Sequence, residues 1–437
     1  MPCNAGEVWR FNSCGHNCQL FHFFITCACF RMSPEAGTDT KPITITSFQS
    51  MKKLELLTLC AAIAMAALAG CSQGRNEVTK SGLRPADFET EYEDSLRGRK
   101  PVSLHVLKNG SGMEACITNF GGRIVSLTVP DRDGGFRDVV LGFSKASDYF
   151  PSNNQSDFGA AIGRYANRID KGSFVIDGER IQLPVNNFGH CLHGGPAGWQ
   201  YQVYDAAQPN DSTLILTMHS PDGDQNFPGE VTAVVTYTLR DDNALDIKYN
   251  ATSTEPTVIN MTNHSYFNLS GDPSRPVTDH LLYIDADGFT PVDSTYMTTG
   301  EILPVEGTPM DFRTPKLIGR DIDDFGFEQL KNGNGYDHNW VLNGGGDISV
   351  KAAELSCPES GIALEVYTTE PGLQFYSGNF LDGTQTGKNG KVYGKRAAAC
   401  LETQHYPDSP NKPDWPSVVL RPGESYESET IFKFTIR

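Results

Sequence analysis

Five short segments carry most of the residue types that could do chemistry: GRYANRI (163 to 169), HCLHGG (190 to 195), MTNHSYFNLSG (261 to 271), GYDHNW (335 to 340) and LETQHYPDSPN (401 to 411). Each falls in a loop or at the end of a strand-like run, where a rigid sheet presents binding and catalytic groups. Singly, each has a bland explanation. Arg164 and Arg168 read as surface charges, His193 as a turn residue beside Gly194 and Gly195, and His264 as a satisfied core histidine ahead of Tyr266 and Phe267. Asp337 reads as a turn former and Glu402 as a carboxylate opening a helix. Together they point elsewhere. Glu402 follows the apolar run Ala397 to Leu401, which suits an interior strand, and buried carboxylates are rare unless paired or functional. Desolvation there raises the carboxyl toward a useful base, and a neighbouring arginine opposes it. A carboxylate base, histidines that donate protons near neutral pH, and Asn, Gln and Asp for directional bonds suit a polyhydroxylated ligand. Trp199, Trp340, Tyr266 and Phe375 are the aromatic candidates for the face of a sugar ring.

The elements that must position these groups are strands. In VTAVVTYTL, Val231, Ala233, Val235, Tyr237 and Leu239 share one face, with threonines prominent on the other. ALDIKYN repeats the alternation through Leu245, Ile247 and Tyr249, LILTM follows it, and TIFKFTIR closes the chain with Phe432, Phe434 and Ile436 together. Turn dipeptides separate such runs: Asp133-Gly134, Asp177-Gly178, Asp222-Gly223, Asp287-Gly288, Asp382-Gly383 and Asn389-Gly390. No long segment has a 3.6-residue period and no fixed-length repeat is visible. The pattern predicts an all-β fold, a large antiparallel β-sandwich forming one domain over residues 101–437.

Composition excludes several partners and marks the N-terminus for separate treatment. A net charge of −17 over 437 residues, with Lys and Arg scattered, leaves no basic stripe for nucleic acid. From Met51 the chain reads MKKLELLTLCAAIAMAALAGCSQ, two lysines, a short apolar run and small residues before a cysteine. This is a secretory signal over residues 51–70 rather than a membrane span. Leu68-Ala69-Gly70-Cys71 resembles the bacterial lipobox, which makes Cys71 the expected lipidation site, the only membrane contact. The expected location is the bacterial cell envelope, lipid-anchored, facing the periplasm or at the outer membrane. Residues 1–50 are expected to be a spurious N-terminal extension, and residues 71–100 a polar tether with at most a short helix. Of eleven cysteines, Cys116, Cys191, Cys357 and Cys400 remain in the body; without a C-x-x-C pair they suggest neither a zinc ribbon nor a redox site.

Over residues 100 to 437 the chain resembles the aldose 1-epimerase, or galactose mutarotase, family. GRYANRI, LHGG, NHSYFNL, YDHNW, TTEPGLQFYSGNF and LETQHYPDSPN occur in the family's order. The resemblance implies a mutarotase-like β-sandwich that interconverts the α and β anomers of a free aldohexose such as glucose or galactose, without metal or coenzyme; the chain is expected to be a monomer. It implies Glu402 as general base and His264 as general acid. Asn167, Arg168, His193, Asp337 and Gln374 would bind the sugar, with Ser265 and Tyr266 flanking the acid. Glu370 stands where some members carry glutamine, which bears on substrate preference and leaves the chemistry intact.

That assignment meets the demands of the reaction. Opening a hemiacetal takes the proton from the C1 hydroxyl while delivering one to the ring oxygen, so a base and an acid are expected on opposite sides of that bond. Rotation about C1–C2 then presents the other carbonyl face, and the two groups exchange roles on closure. Gly194 and Gly195 are expected to let the backbone approach the sugar with His193 aimed at a hydroxyl; His190 has no role. Three rival readings use the same residues: a metal hydrolase with His193, His264, Asp337 and Glu402 as ligands, a non-catalytic sugar-binding lipoprotein, and a hexose 6-phosphate epimerase, which would want an arginine cluster.

Overall fold

The computed structural model describes residues 77–94, 97–153 and 156–437, and the expectations for residues 1–50, 51–70 and Cys71 lie outside them. Two antiparallel sheets dominate. A nine-stranded sheet runs in the order Asp205–Asn210, Thr213–Ser220, Val231–Leu239, Ala244–Ser253, Tyr426–Ile436, Ile362–Thr368, Lys351–Ser356, Leu281–Ile284 and Lys316–Leu317. A six-stranded sheet runs Tyr266–Phe267, Ala399–Gln404, Gly372–Tyr376, Asp337–Val341, Gly288–Thr290 and Leu303–Pro304. A four-stranded sheet, from Leu104–Lys108 to Phe136–Asp138, adds a third layer of strands. The expected all-β architecture is present, and the one α-helix among the described residues is Glu328–Gly333.

The period-two pattern is what builds this core. Val231–Leu239 alternates buried and half-buried residues along its whole length, and Leu245, Ile247 and Tyr249 are buried on the next strand. These residues share one apolar cluster with Leu373, Phe375, Leu401 and Phe267 of the six-stranded sheet. Phe267 meets Phe432 edge-on at 5.1 Å, across the two sheets. Burying each such side chain contributes about 1.5–3 kcal/mol, which fixes which face of every strand turns inward. Ile436 departs from the expected pattern: it ends its strand and is exposed.

The turn dipeptides behave as their chemistry dictates at five of six positions. Asp177 and Gly178, both left-handed, close the two-residue hairpin between Ser173–Ile176 and Glu179–Gln182. Asp287-Gly288 is the exception, because Gly288 opens a strand paired with both Pro304 and Val341.

The folded body begins before the expected boundary at residue 101. A short 3-10 turn at Pro85–Phe88 leads into a hairpin of Thr90–Asp94 with Gly98–Val102. Leu83 and Phe88 join a second apolar cluster with Val102, Phe120 and Tyr149. A loose tether would leave Phe88 wet, yet it is 0% exposed. Phe88→Ala is therefore expected to destabilise the protein by about 3–5 kcal/mol, read as a lowered urea midpoint. An unchanged midpoint would mean that this segment does not belong to the core.

Candidate active site

Strand alternation sorts the six-stranded sheet into a core face and a site face. Leu401 and Thr403 point one way and Cys400, Glu402 and Gln404 the other, while on the neighbouring strand Leu373 and Phe375 go to the core and Gln374 to the site. Register places Gln374 directly opposite Glu402, and Asn339 opposite Gln374. Asp337 lies two residues before Asn339, on the same face, and its Oδ1 accepts a 2.6 Å hydrogen bond from Gln374 Nε2. Three of the expected site residues thus follow from one sheet face.

His264 arrives from a separate element. It ends the strand Thr262–His264, which pairs with Ala160–Ile162, and its Nε2 stands 3.6 Å from Glu402 Oε1. Tyr266 stacks on the His264 ring at 5.1 Å and 17°, and Phe158 closes edge-on against Tyr266. His193 meets the other side of His264 edge-on, with ring centroids 5.2 Å apart. Ser265 flanks the acid as expected, with its backbone N–H donating to Asn263 Oδ1.

The loops carrying Asn167, Arg168 and His193 interlock. Asn167 N–H donates to His193 Nδ1 at 3.1 Å, and His193 N–H returns a bond to the Asn167 carbonyl. A backbone N–H can only donate, so His193 Nδ1 accepts and the neutral ring carries its proton on Nε2. Both residues are left-handed, with φ of 62° and 51°, a conformation uncommon outside glycine. Arg168 is buried, donates to Asn187 Oδ1 at 2.9 Å, and lies over the Tyr296 ring at 5.2 Å. Gly194 does not bring the backbone to a sugar as expected. A Cβ there would sit 2.4 Å from the Gly163 carbonyl oxygen, so the glycine permits contact between the two loops. His190 stays outside, held by Lys171 N–H and Thr295. Arg164 is neither surface charge nor ligand: it is buried and donates to the Pro228 and Gly229 carbonyls and to Ser220.

Burial decides the electrostatics. Glu402 is 2% exposed, and desolvation first, then Asp337 and Asp157, push its carboxyl well above the usual range against the pull of Arg168. Desolvation likewise lowers His264, with Asp157 the leading opposing influence. His193 is driven well down by burial, His264 and Arg168. Asp337 is raised by burial, opposed by Arg168 and by the Gln374 hydrogen bond. Buried without a partner are His264 Nδ1, Glu402 Oε2, Gln374 Oε1, Ser265 Oγ and both amide atoms of Asn339 and Gln404. Unpaired buried polar atoms are costly, and those of Asn339, Gln374, Glu402 and Gln404 share one face of the six-stranded sheet.

The aromatic expectations are corrected. Trp199, Trp340 and Phe375 are core residues. The rings at the mouth are Tyr296, flanked by Phe188 at 5.2 Å and Phe380 at 5.5 Å, the latter two 56% and 51% exposed. Phe380 closes the motif TTEPGLQFYSGNF, Phe188 and Tyr296 lie in none, and the position of Tyr296 over Arg168 is what reveals the group. Glu370 is engaged by His405 and the Tyr426 hydroxyl, at 2.6 and 3.1 Å.

Metal ligation fits the donor set poorly. Asp157, His193 and His264 have ligand atoms within 4.8 Å of one another, as do His264, Cys400 and Glu402. His193 offers an N–H where a metal needs a lone pair, and burial holds the Cys400 thiol well above its ordinary range.

Residues 103–433 match the profile of the family described as aldose 1-epimerase. Human galactose mutarotase is 45% identical over 320 residues, 73% of this chain and 90% of that protein. Aldose 1-epimerase of Escherichia coli K12 is 39% identical over 338 residues, 77% and 96%. Among solved structures, the GalM/aldose epimerase homologue of C. elegans aligns with a TM-score of 0.69 at 31% identity, covering 77% of this chain and 99% of that one. Galactose 1-epimerase of Lactobacillus acidophilus aligns at 0.68 and 30%, covering 79% and 98%.

Gly194→Ala places a side chain against the Gly163 carbonyl at a left-handed φ of 76°. It is expected to cost at least about 1–3 kcal/mol and to lower sugar affinity through displacement of His193, measured by thermal unfolding and calorimetry. Wild-type affinity and melting temperature would contradict the interlock.

Proposed function

The chain belongs to the aldose 1-epimerase family, and from that premise we propose how it interconverts the α and β anomers of a free aldose. The observation that carries the reading is the 3.6 Å approach of His264 Nε2 to Glu402 Oε1 in a desolvated site. The two groups are side by side instead of on opposite sides of the bond. The reaction accepts this, because O1 and the ring oxygen O5 are bonded to the same carbon.

Glu402 as carboxylate takes the O1 proton while His264 as imidazolium delivers one to O5, and the C1–O5 bond breaks to leave the aldehyde. After rotation about C1–C2, the ring closes as Glu402 gives its proton back to O1 and His264 takes the proton back from O5, which restores the carboxylate and the imidazolium. Arg168 and the His193 Nε2–H donate to sugar hydroxyls, Asp337 and Gln374 accept, and Asn167 holds the His193 tautomer. Holding C2 to C6 still while C1 turns supplies catalysis through orientation. Glucose and galactose are the proposed substrates. The non-catalytic binding reading is not favoured, since the proton-transfer pair is present and in contact. A phosphorylated substrate is not favoured: among the described residues, Arg123 and Arg164 donate to backbone carbonyls, which leaves Arg168 without an arginine cluster around it.

Glu402→Gln keeps the shape and removes the base. Polarimetry on freshly dissolved α-glucose and α-galactose is expected to register a fall of about a hundredfold or more in anomer interconversion, with sugar binding retained in calorimetry. A rate near wild type would reject the base assignment.

Residues 51–71 are proposed to act as a lipoprotein signal with Cys71 lipidated, anchoring the enzyme in a bacterial cell envelope, on the strength of the lysine pair, short apolar run and Leu-Ala-Gly-Cys sequence. Cys71→Ser is expected to move the protein from the membrane to the soluble fraction. Continued detergent-sensitive membrane attachment would refute the anchor.

A further inference from the structure

A buried histidine that must act as a proton donor needs something to keep its charge, and Glu402 cannot serve alone, since it must itself remain free to take a proton. Asp157, which no motif contains, lies at the site. One of its carboxylate oxygens is within 4.8 Å of ring nitrogens of both His264 and His193. Its backbone is clamped on either side: the buried Arg123 guanidinium donates to the Ser156 carbonyl at 2.9 Å and the Phe158 carbonyl at 3.0 Å. The chain then runs alongside His264, with Gly159 N–H donating to the His264 carbonyl and Ala160 paired opposite His264. The carboxylate's own contact is the Tyr201 hydroxyl at 3.5 Å, and the side chain is half-buried.

We propose that Asp157 is a positioning residue for the epimerase reaction, whose carboxylate stabilises the imidazolium form of His264 and so sets the pH range in which the Glu402–His264 pair turns over. The inference rests on the acid–base roles proposed above. The groups facing His264 are Glu402 at 3.6 Å, the His193 and Tyr266 rings at 5.2 and 5.1 Å, Asp157, and the Arg123 guanidinium, whose charge opposes protonation. Those facing Glu402 are His264, Asp337, Asp157, Arg168 and the neutral Cys400 thiol. Among the described residues Asp157 is the carboxylate that raises His264 against its burial, and it raises Glu402 as well. Arg168 works oppositely on Glu402, so the charged pair is framed by a cation near its anion and an anion near its cation.

The sign of the effect follows. The Asp157 carboxylate, within 4.8 Å of a His264 ring nitrogen, raises the titration of both His264 and Glu402. Asp157 is half-buried, so solvent screens part of this influence. Asp157→Asn should therefore shift both limbs of the kcat/KM bell toward acid by about one pH unit, with roughly a tenfold loss of activity on the alkaline side. Asp157→Glu, which keeps the charge, should leave the limbs near wild type. If both limbs of Asp157→Asn stay in place, with or without a lower maximum, the proposal is overturned and Asp157 is merely structural. Should Asp157→Asn fail to fold by circular dichroism, Asp157→Ser gives the same readout. Failure here is separable from failure of the acid–base reading: a near-wild-type bell in Glu402→Gln would overturn that reading, whereas this proposal stands or falls on where the bell sits in Asp157→Asn.

Discussion

The site depends on one proton shared by Glu402 and His264 inside a space that water has largely left. Burial drives the carboxyl up and the imidazole down, so each group alone prefers to be neutral. A protonated carboxyl beside a neutral imidazole holds the same number of protons as a carboxylate beside an imidazolium. The two arrangements differ only in where one proton sits across 3.6 Å. The fold therefore carries no net buried charge from the pair at rest. The charged arrangement needed for ring opening is reached by moving a proton internally, without drawing one from solvent. A sugar offers O1 and O5 on a single carbon, and these are the oxygens that can receive and return it.

Bringing that pair together constrains the sheet. Glu402 sits one residue from Leu401 and Thr403, both committed to the core, so the strand that supplies the base also supplies the packing that fixes it. Thr403 Oγ1 lies 2.5 Å from Thr430 Oγ1 of the nine-stranded sheet, tying the base's own strand to the opposite layer. A register slip of one residue would exchange the two faces and place the carboxyl in the apolar core. His264 is held differently, by ring contacts: Tyr266 stacked on one side and His193 edge-on at the other. Rigid backbone for the base and packed rings for the acid leave few ways for the 3.6 Å approach to open.

Legibility in the sequence followed the physics of each element. The strands were readable because period-two burial writes itself into residue order, as along Val231–Leu239. Glu402 was readable because a carboxylate closing the apolar run Ala397 to Leu401 has to face something, whereas Gln374 and Asp337 came through the family resemblance. The mouth was not. Phe188, Tyr296 and Phe380 come from three separate stretches, and an isolated aromatic residue looks alike in a core and at a rim; Trp199 and Trp340 were therefore natural but mistaken choices. Asp157 was hidden for the same reason, since its neighbours at the site are remote in sequence. The tether boundary failed because residues 78–100 are polar on average, yet Leu83, Phe88 and Tyr92 pack into the second apolar cluster. Gly288 was misread because Asp-Gly is equally compatible with a strand entering from a loop.

The remaining groups differ from the catalytic pair in having fixed roles. Arg168 can only donate, and His193, with Nδ1 occupied by the Asn167 N–H, also donates from Nε2. Asp337 is steadied as an acceptor by Arg168 and Gln374 against the pull of its own burial. Groups that cannot switch between donor and acceptor define which hydroxyls fit, while the pair that can switch handles the one carbon whose configuration changes. The left-handed φ values at Asn167 and His193 are where the chain spends conformational energy to keep those roles fixed. An epimerase that bound C1 as tightly as the rest of the sugar would stall after ring opening; one that held C2 to C6 loosely would release the aldehyde. Rigid donors around a mobile proton satisfy both requirements at once.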